Sequence, residues 1–263
     1  MGMIAVFITA LIVSAIGFKK YIWFISIGYG FSIAAIGVVL LCMFGRQADT
    51  GLIASCVLFI LYGCRLGGYL TYREFGISSY NNKMKNEIKD GKSVSMIAKI
   101  GIWVFAALLY AFQVSPVVFR LENGKGTDGC VKAGIAIMII GLILETASDL
   151  QKNAAKKKNP GRFVDTGLFR LVRCPNYFGE MLFWTGVFIM GFGSNTGAWQ
   201  WTAALLGYIG IIYVMFSGAR RLEMRQNRIY GDDPEYQAYV KKVPIMIPLI
   251  PLYSVEKYKW LVA

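Results

Sequence analysis

The sequence predicts an all-α, polytopic membrane protein with seven transmembrane helices, its N-terminus outside and its C-terminus cytoplasmic. Three observations carry that prediction. Of the 263 residues, 56% are hydrophobic, and the mean hydropathy is +0.51. A soluble domain of this length buries its core with less apolar content, so the excess is surface that faces lipid. Apolar runs of bilayer length recur along the chain. The basic residues between those runs fall mostly on one side.

A bilayer core takes about 20 mostly apolar residues, with a range of about 17–25. The runs are Met3–Phe18, Ile22–Phe44, Gly51–Leu70, Ile100–Phe119, Cys130–Ser148, Phe178–Phe192 and Ala198–Phe216, the first and sixth being short. The first run precedes Lys19 and Lys20, whereas a signal peptide carries its charge ahead of its apolar stretch, so it reads as a retained helix. Pro116, near the end of the fourth run, is tolerable where neighbouring helices satisfy the freed backbone groups.

Charge tests the count. With the N-terminus outside, the inner segments hold 23 of the 28 Lys and Arg residues. These include Arg73, Lys83, Lys85, Lys89, Lys92 and Lys99 in one loop, and Lys152 through Arg173 in the next. The outer side holds Arg46, Arg120, Lys125 and Lys132, and Arg65 lies within a span. This asymmetry follows the positive-inside rule, which also accounts for the net charge of +13 without nucleic acid. The chain reads as a single transmembrane domain over 1–263 with a cytoplasmic tail from about 217. In that tail a helical pattern is broken by the turn Gly231-Asp232-Asp233-Pro234.

Composition narrows the chemistry. Histidine is absent, so neither a His-ligated metal nor a His-activated nucleophile is available. The five cysteines are scattered without a CxxC pair, which suggests neither zinc nor a disulfide framework; no metal is expected. No internal repeat supports an inverted-repeat transporter.

Charges inside a bilayer need a partner or a purpose. Arg65 sits in YGCRLGGYLTYRE, Glu145 and Asp149 lie four apart on one helix face, and Glu180 opens the sixth run. They read either as mutually paired, interfacial groups or as the lining of a polar cavity. The stretch GLFRLVRCPNYFGE, 167–180, sets Arg170 and Arg173 ahead of a Pro-Asn-Tyr helix start. Free N–H groups and guanidinium forks both suit phosphate, and the Asn176 carboxamide can donate and accept at once.

These residues resemble the steroid 5α-reductase family and its bacterial relatives, polytopic enzymes that use NADPH to reduce a carbon–carbon double bond conjugated to a ketone. The matching pieces are SDLQK (148–152), GLFRLVRCPNYFGE, YGCRLGGYLTYRE, and a tail with Glu223, Tyr236, Tyr239, Pro244 and Pro248. The resemblance implies that Asn176 and Glu180 hold the nicotinamide end of NADPH, with Glu145 and Asp149 on its polar groups and Tyr177 among the cofactor-binding residues. It implies phosphate contacts from Arg65, Arg73, Arg170 and Arg173, and closure of the cytoplasmic side by Tyr236. Tyr62 falls where steroid reductases carry the tyrosine that hydrogen-bonds the substrate ketone; as a residue alone it reads equally as a packing aromatic. The implied substrate is a hydrophobic enone, such as a 3-oxo-Δ4 steroid, entering from the lipid bilayer of a bacterial inner membrane.

The chain departs from the family at two places. Cys174 stands where many relatives have histidine before Pro-Asn-Tyr. The Ile22–Phe44 run also holds no acid, where steroid reductases have a Gln-Glu pair facing the ketone. Two other readings compete. One is an S-adenosylmethionine-dependent membrane methyltransferase of a lipid or lipidated substrate, resembling the isoprenylcysteine carboxyl methyltransferases, whose loop relies on a histidine this chain lacks. The other is a non-enzymatic transporter or sterol-binding protein.

Overall fold

The computed structural model describes residues 1–76 and 94–262, so Lys83, Lys85, Lys89 and Lys92 of the second inner segment lie outside the described residues. Among the described residues the regular structure is helical: α1 (Gly2–Ser14), α2 (Ile27–Phe44), α3 (Thr50–Gly76), α4 (Met96–Glu122), α5 (Gly129–Lys158), α6 (Pro175–Ile189), α7 (Gly197–Tyr230) and α8 (Pro234–Lys242). Short 3-10 turns cover Ala15–Phe18, Tyr21–Ile25 and Gly167–Arg170.

Among the described residues, five helical stretches are long and apolar enough to cross a membrane: Tyr21–Phe44 and the helices α3, α4, α5 and α7. The other two runs form the 13-residue α1 and the 15-residue α6, each below the length that spans a bilayer alone. Large apolar side chains point outward along the helices. Ile4, Ile8 and Ile12 form one such stripe on α1, and Ile139, Ile140 and Ile143 another on α5. Outward-facing isoleucines in regular helical register are what a hydrocarbon solvent calls for, so the chain is an integral membrane protein.

Two compact units are distinguishable: residues Met1–Ile135 with Val187–Tyr208, and residues Ala136–Gly186 with Ile209–Ala263. In the first unit α2 and α3 run antiparallel with their backbones touching. A Cβ added at Gly30 would lie 2.5 Å from the Gly67 nitrogen, and one at Gly63 would lie 2.4 Å from Ala34 N. One at Gly37 would lie 2.7 Å from the Cys56 oxygen. Small residues at such crossings let dispersion do what hydrophobic burial cannot do in lipid. Gly207 of α7 lies against the α4 backbone at Phe112–Gln113 in the same way.

Arg120, an outer-side charge in the sequence, is 1% exposed. Its guanidinium donates to the carbonyls of Met190 (2.9 Å), Gly126 (2.7 Å) and Phe192 (2.7 Å), and to Asp128 (3.0 Å). Carbonyls at the end of α6 have no intrahelical partner, and Arg120 supplies one. A second clasp joins Asp49 to Thr127, whose backbone N–H and hydroxyl both donate to the carboxylate.

In the second unit α5 and α6 cross antiparallel at Gly141 and Gly179, where an added Cβ would lie within 2.7 Å of the opposite backbone. The tail follows the pattern read from its sequence: α7 runs to Tyr230, and Asp233 caps α8 by accepting from Glu235 N at 2.9 Å.

Candidate active site

The sequence-predicted site residues divide between the units. In the first, Tyr62 of α3 is fully buried, and its hydroxyl lies 3.0 Å from that of Tyr29 on α2. Each tyrosine immediately precedes a crossing glycine, Gly30 or Gly63, so the backbone contact of α2 with α3 sets the distance between the phenols. The Tyr29 ring lies 5.0 Å from that of Tyr110, whose hydroxyl donates to Phe24 O at 2.8 Å. Arg65 and Arg73 stand one turn before and one turn after Tyr69 on α3, their guanidinium carbons 5.8 and 5.9 Å from its ring centre. Both arginines are half-buried.

In the second unit the α5–α6 crossing sets Glu145 beside Gly179, and both Glu145 and Glu180 are buried, 3% and 6% exposed. Asn176 is one turn before Glu180 on α6, and Asp149 one turn after Glu145 on α5; both are half-buried. The Tyr177 hydroxyl packs over Gly218 of α7, where an added Cβ would meet it at 3.3 Å.

The turn ahead of α6 is built by the motif residues themselves. Gly167 has φ +60°, a conformation that favours glycine, and a Cβ there would strike Gln151 Oε1 at 2.3 Å. That oxygen accepts from Leu168 N at 2.9 Å, so SDLQK and GLFRL hold each other in place. Next, Arg173 N donates to Pro244 O and Cys174 N to Ile245 O, each at 2.9 Å, which lays the tail along the turn. The Arg173 side chain is 3% exposed and pairs with Glu223 at 2.8 Å, also donating to Tyr253 O. Glu223 in turn accepts from Val255 N at 2.8 Å. Arg170, by contrast, is exposed.

Burial pushes the Cys174 thiol up to about 12, so it stays protonated and is no nucleophile. Tyr236 is buried among Phe163 and Tyr230, with ring centres at 5.3 and 5.8 Å, and donates to Asn227 Oδ1 at 2.7 Å. Burial raises its pKa to about 12, which keeps it a donor. The aromatic cluster makes Tyr236 part of the packing beneath α7.

The second unit's donor set suits the nicotinamide half of a dinucleotide. Buried carboxylates accept from amide N–H and ribose hydroxyl groups, and a neighbouring carboxamide both donates and accepts. Among the described residues no cluster of His, Cys, Asp or Glu could hold a metal ion.

Sequence reasoning missed Tyr29. The available signal was a lone polar aromatic between two glycines, Gly28 and Gly30, in an otherwise apolar span.

Comparison with known proteins agrees with the resemblance. A steroid 5-alpha-reductase DET2 of Gossypium hirsutum is 28% identical over 121 residues, 45% of this chain and 42% of its own length. The Arabidopsis thaliana protein of that name is 37% identical over 70 residues, 26% of this chain and 24% of its own. The 3-oxo-5-alpha-steroid 4-dehydrogenase 1 of Rattus norvegicus is 24% identical over 126 residues, 47% of this chain and 43% of its own. The matched stretches thus span less than half the length of these relatives. No solved structure matches the chain. Residues 11–243 match the family described as "Protein of unknown function (DUF1295)", and the chain belongs to that family, which is steroid 5α-reductase-like.

Proposed function

We propose that the chain is a membrane-embedded reductase of a conjugated carbon–carbon double bond in a hydrophobic enone, such as a 3-oxo-Δ4 steroid, with NADPH as the reductant. The observation that carries this reading is the Tyr29–Tyr62 phenol pair, buried in the apolar helices of a chain whose relatives are steroid reductases. A hydroxyl in a dry interior is a strong local donor, because no water competes for the oxygen it serves.

When bound, NADPH supplies the hydride. In the second unit Asn176, Tyr177 and Glu180 hold the nicotinamide end, Glu145 and Asp149 accept from its polar groups, and Arg170 meets a phosphate. Arg173 acts from within the turn that carries Asn176. Arg65 and Arg73 add positive potential in the first unit, where Tyr62 serves the substrate. As the β-carbon gains hydride, charge moves onto the ketone oxygen, and Tyr62 donates to that developing enolate. The 3.0 Å phenol pair can bond in either direction; with Tyr29 as donor and Tyr62 as acceptor, the Tyr62 proton is left for the substrate. A proton taken up from solvent at the α-carbon completes the saturation, so that enone, NADPH and one proton give the saturated ketone and NADP+.

The basic loops support an orientation with the N-terminus outside and the cofactor side toward the cytoplasm, and the resemblance to bacterial relatives supports a bacterial inner membrane. The relatives named above are steroid reductases and a steroid dehydrogenase, which favours reduction over methyl transfer.

The test is a purified-protein screen of steroid and polyprenoid enones with NADPH, read by mass spectrometry for a gain of two hydrogens. Asn176→Ala and Glu180→Ala are expected to weaken NADPH binding about tenfold or more, in line with loss of a hydrogen bond to a charged group. Unchanged affinity in both variants defeats the site assignment. Stabilisation by S-adenosylmethionine and not by NADPH in a thermal-shift assay defeats the reductase reading.

A further inference from the structure

Gln113 of α4 is 3% exposed, and neither its Nε2 nor its Oε1 has a hydrogen-bond partner among the described residues. A buried carboxamide with both ends unmatched is uncommon, because desolvation is then uncompensated at two atoms. Its position narrows the explanation. Gln113 is one turn from Tyr110, on neighbouring faces of α4, and Tyr110 lies against Tyr29 of the phenol pair. On the far side Gly207 closes directly on the Phe112–Gln113 backbone. Ser32, one turn beyond Tyr29 on α2 and fully buried, likewise has a hydroxyl with no partner among the described residues. Other buried polar atoms of the first unit also lack a partner among the described residues, at Trp23, Ser115 and Asn195; Gln113 and Ser32 are set apart by lying one turn from a tyrosine of the Tyr29–Tyr62–Tyr110 group.

We infer that Gln113 is a specificity-determining residue that binds a hydroxyl group carried by the substrate at a point remote from its ketone. The inference rests on the reductase reading for the first oxygen, which goes to Tyr62, and adds a second point of attachment. The chemistry selects a hydroxyl. A ketone or ether satisfies only the donor end of a carboxamide, whereas a hydroxyl accepts from Nε2–H and donates to Oε1. A site built to hydrogen-bond a hydroxyl discriminates against the analogue lacking it, since the site's own polar groups are then left unmatched.

The experiment titrates the full chain, in lipid nanodiscs, with two fused-ring enones that differ only in a hydroxyl or a hydrogen at the end remote from the ketone. Affinity is read by tryptophan quenching, independently of turnover. Wild type is expected to prefer the hydroxylated enone by about tenfold, the scale of one net hydrogen bond. Gln113→Leu is expected to remove that preference, to leave the affinity for the deoxy enone within about twofold, and to melt no lower than wild type without ligand. Equal weakening for both enones, or an undiminished preference, overturns the inference. Should Gln113→Leu fail to fold, Gln113→Met carries the same expectation with a more adaptable side chain. A wild type that prefers the hydroxyl but never oxidises NADPH with either enone keeps Gln113 and sinks the reductase reading. One that reduces both enones without preference sinks Gln113 alone, and one that binds neither sinks both.

Discussion

Replacing Arg173 with leucine tests how firmly the tail holds the turn that carries Asn176. The Arg173 and Glu223 side chains are 2% and 3% exposed, and the guanidinium lies 2.8 Å from the carboxylate. Removing the arginine leaves a buried carboxylate whose other oxygen accepts from Val255 N, and it orphans the Tyr253 carbonyl. Breaking such a pair from one side costs about 3–5 kcal/mol, because an uncompensated charge remains in a dry site. At roughly 2–4 °C per kcal/mol for a chain of this size, Tm falls by about 6–20 °C. The double variant Arg173→Leu with Glu223→Leu removes both charges and is expected to lie well above the single variant. It retains only the cost of the carbonyl, about 1–3 kcal/mol. Intrinsic tryptophan fluorescence on heating, in one detergent for all variants, reads the comparison. A double variant that melts no higher than Arg173→Leu refutes the reasoning, since the penalty would then not come from a stranded charge.

Three further outcomes are expected. Tyr62→Phe lowers kcat for enone reduction by about a hundredfold, the scale for loss of one donor to a developing oxyanion, while NADPH affinity measured by equilibrium titration stays the same. Gly63→Leu forces α2 away from α3 and separates the phenols; activity is lost together with a fall in Tm, and a variant as stable and active as wild type contradicts the backbone contact. The Asp49–Thr127 clasp depends on pH. Burial alone would raise the Asp49 pKa, but the Thr127 hydroxyl and the backbone donors of Thr127, Leu52 and Gly51 outweigh it and hold the value below the ordinary 3.8. The clasp is therefore fully formed above about pH 4 and lost as pH falls through the depressed value. The protection factor of the Thr127 N–H, exchange measured against its intrinsic rate at each pH, should fall on acidification in wild type and show no such fall in Asp49→Asn.

Much of the helical frame was legible because apolar runs of bilayer length are an unambiguous signal, and five of the seven runs lie in helices long enough to cross. The first and sixth runs, already short in the sequence, form helices of 13 and 15 residues. Apolar composition marked them, but α1 passes into 3-10 turns after Ser14, and α6 stops at Ile189, where Arg120 collects the carbonyls that follow. In the site, the four-residue spacing put Glu145 and Asp149 on one helix face, whereas the close approach of Glu145 to Gly179 is a tertiary contact that the spacing does not contain. Arg173 read as a phosphate contact because it is basic and lies beside a helix N-terminus. Its pairing with Glu223, 50 residues away, is a tertiary fact that no local pattern contains. Tyr29 and Gln113 were invisible for a related reason. Within an apolar run, a single polar side chain is informative only once its neighbours on other helices are known.

The backbone bonds from Arg173 and Cys174 to Pro244 and Ile245 have a consequence for biosynthesis. A ribosome delivers the residues before α6 well before the tail residues that pair with them. The N–H groups at 173 and 174 thus wait, unmet, until translation has passed 245. Completion of the turn that carries Asn176 is accordingly a late event, and shortening the gene from its 3′ end past codon 244 should loosen that turn while leaving the apolar helices in the sequence.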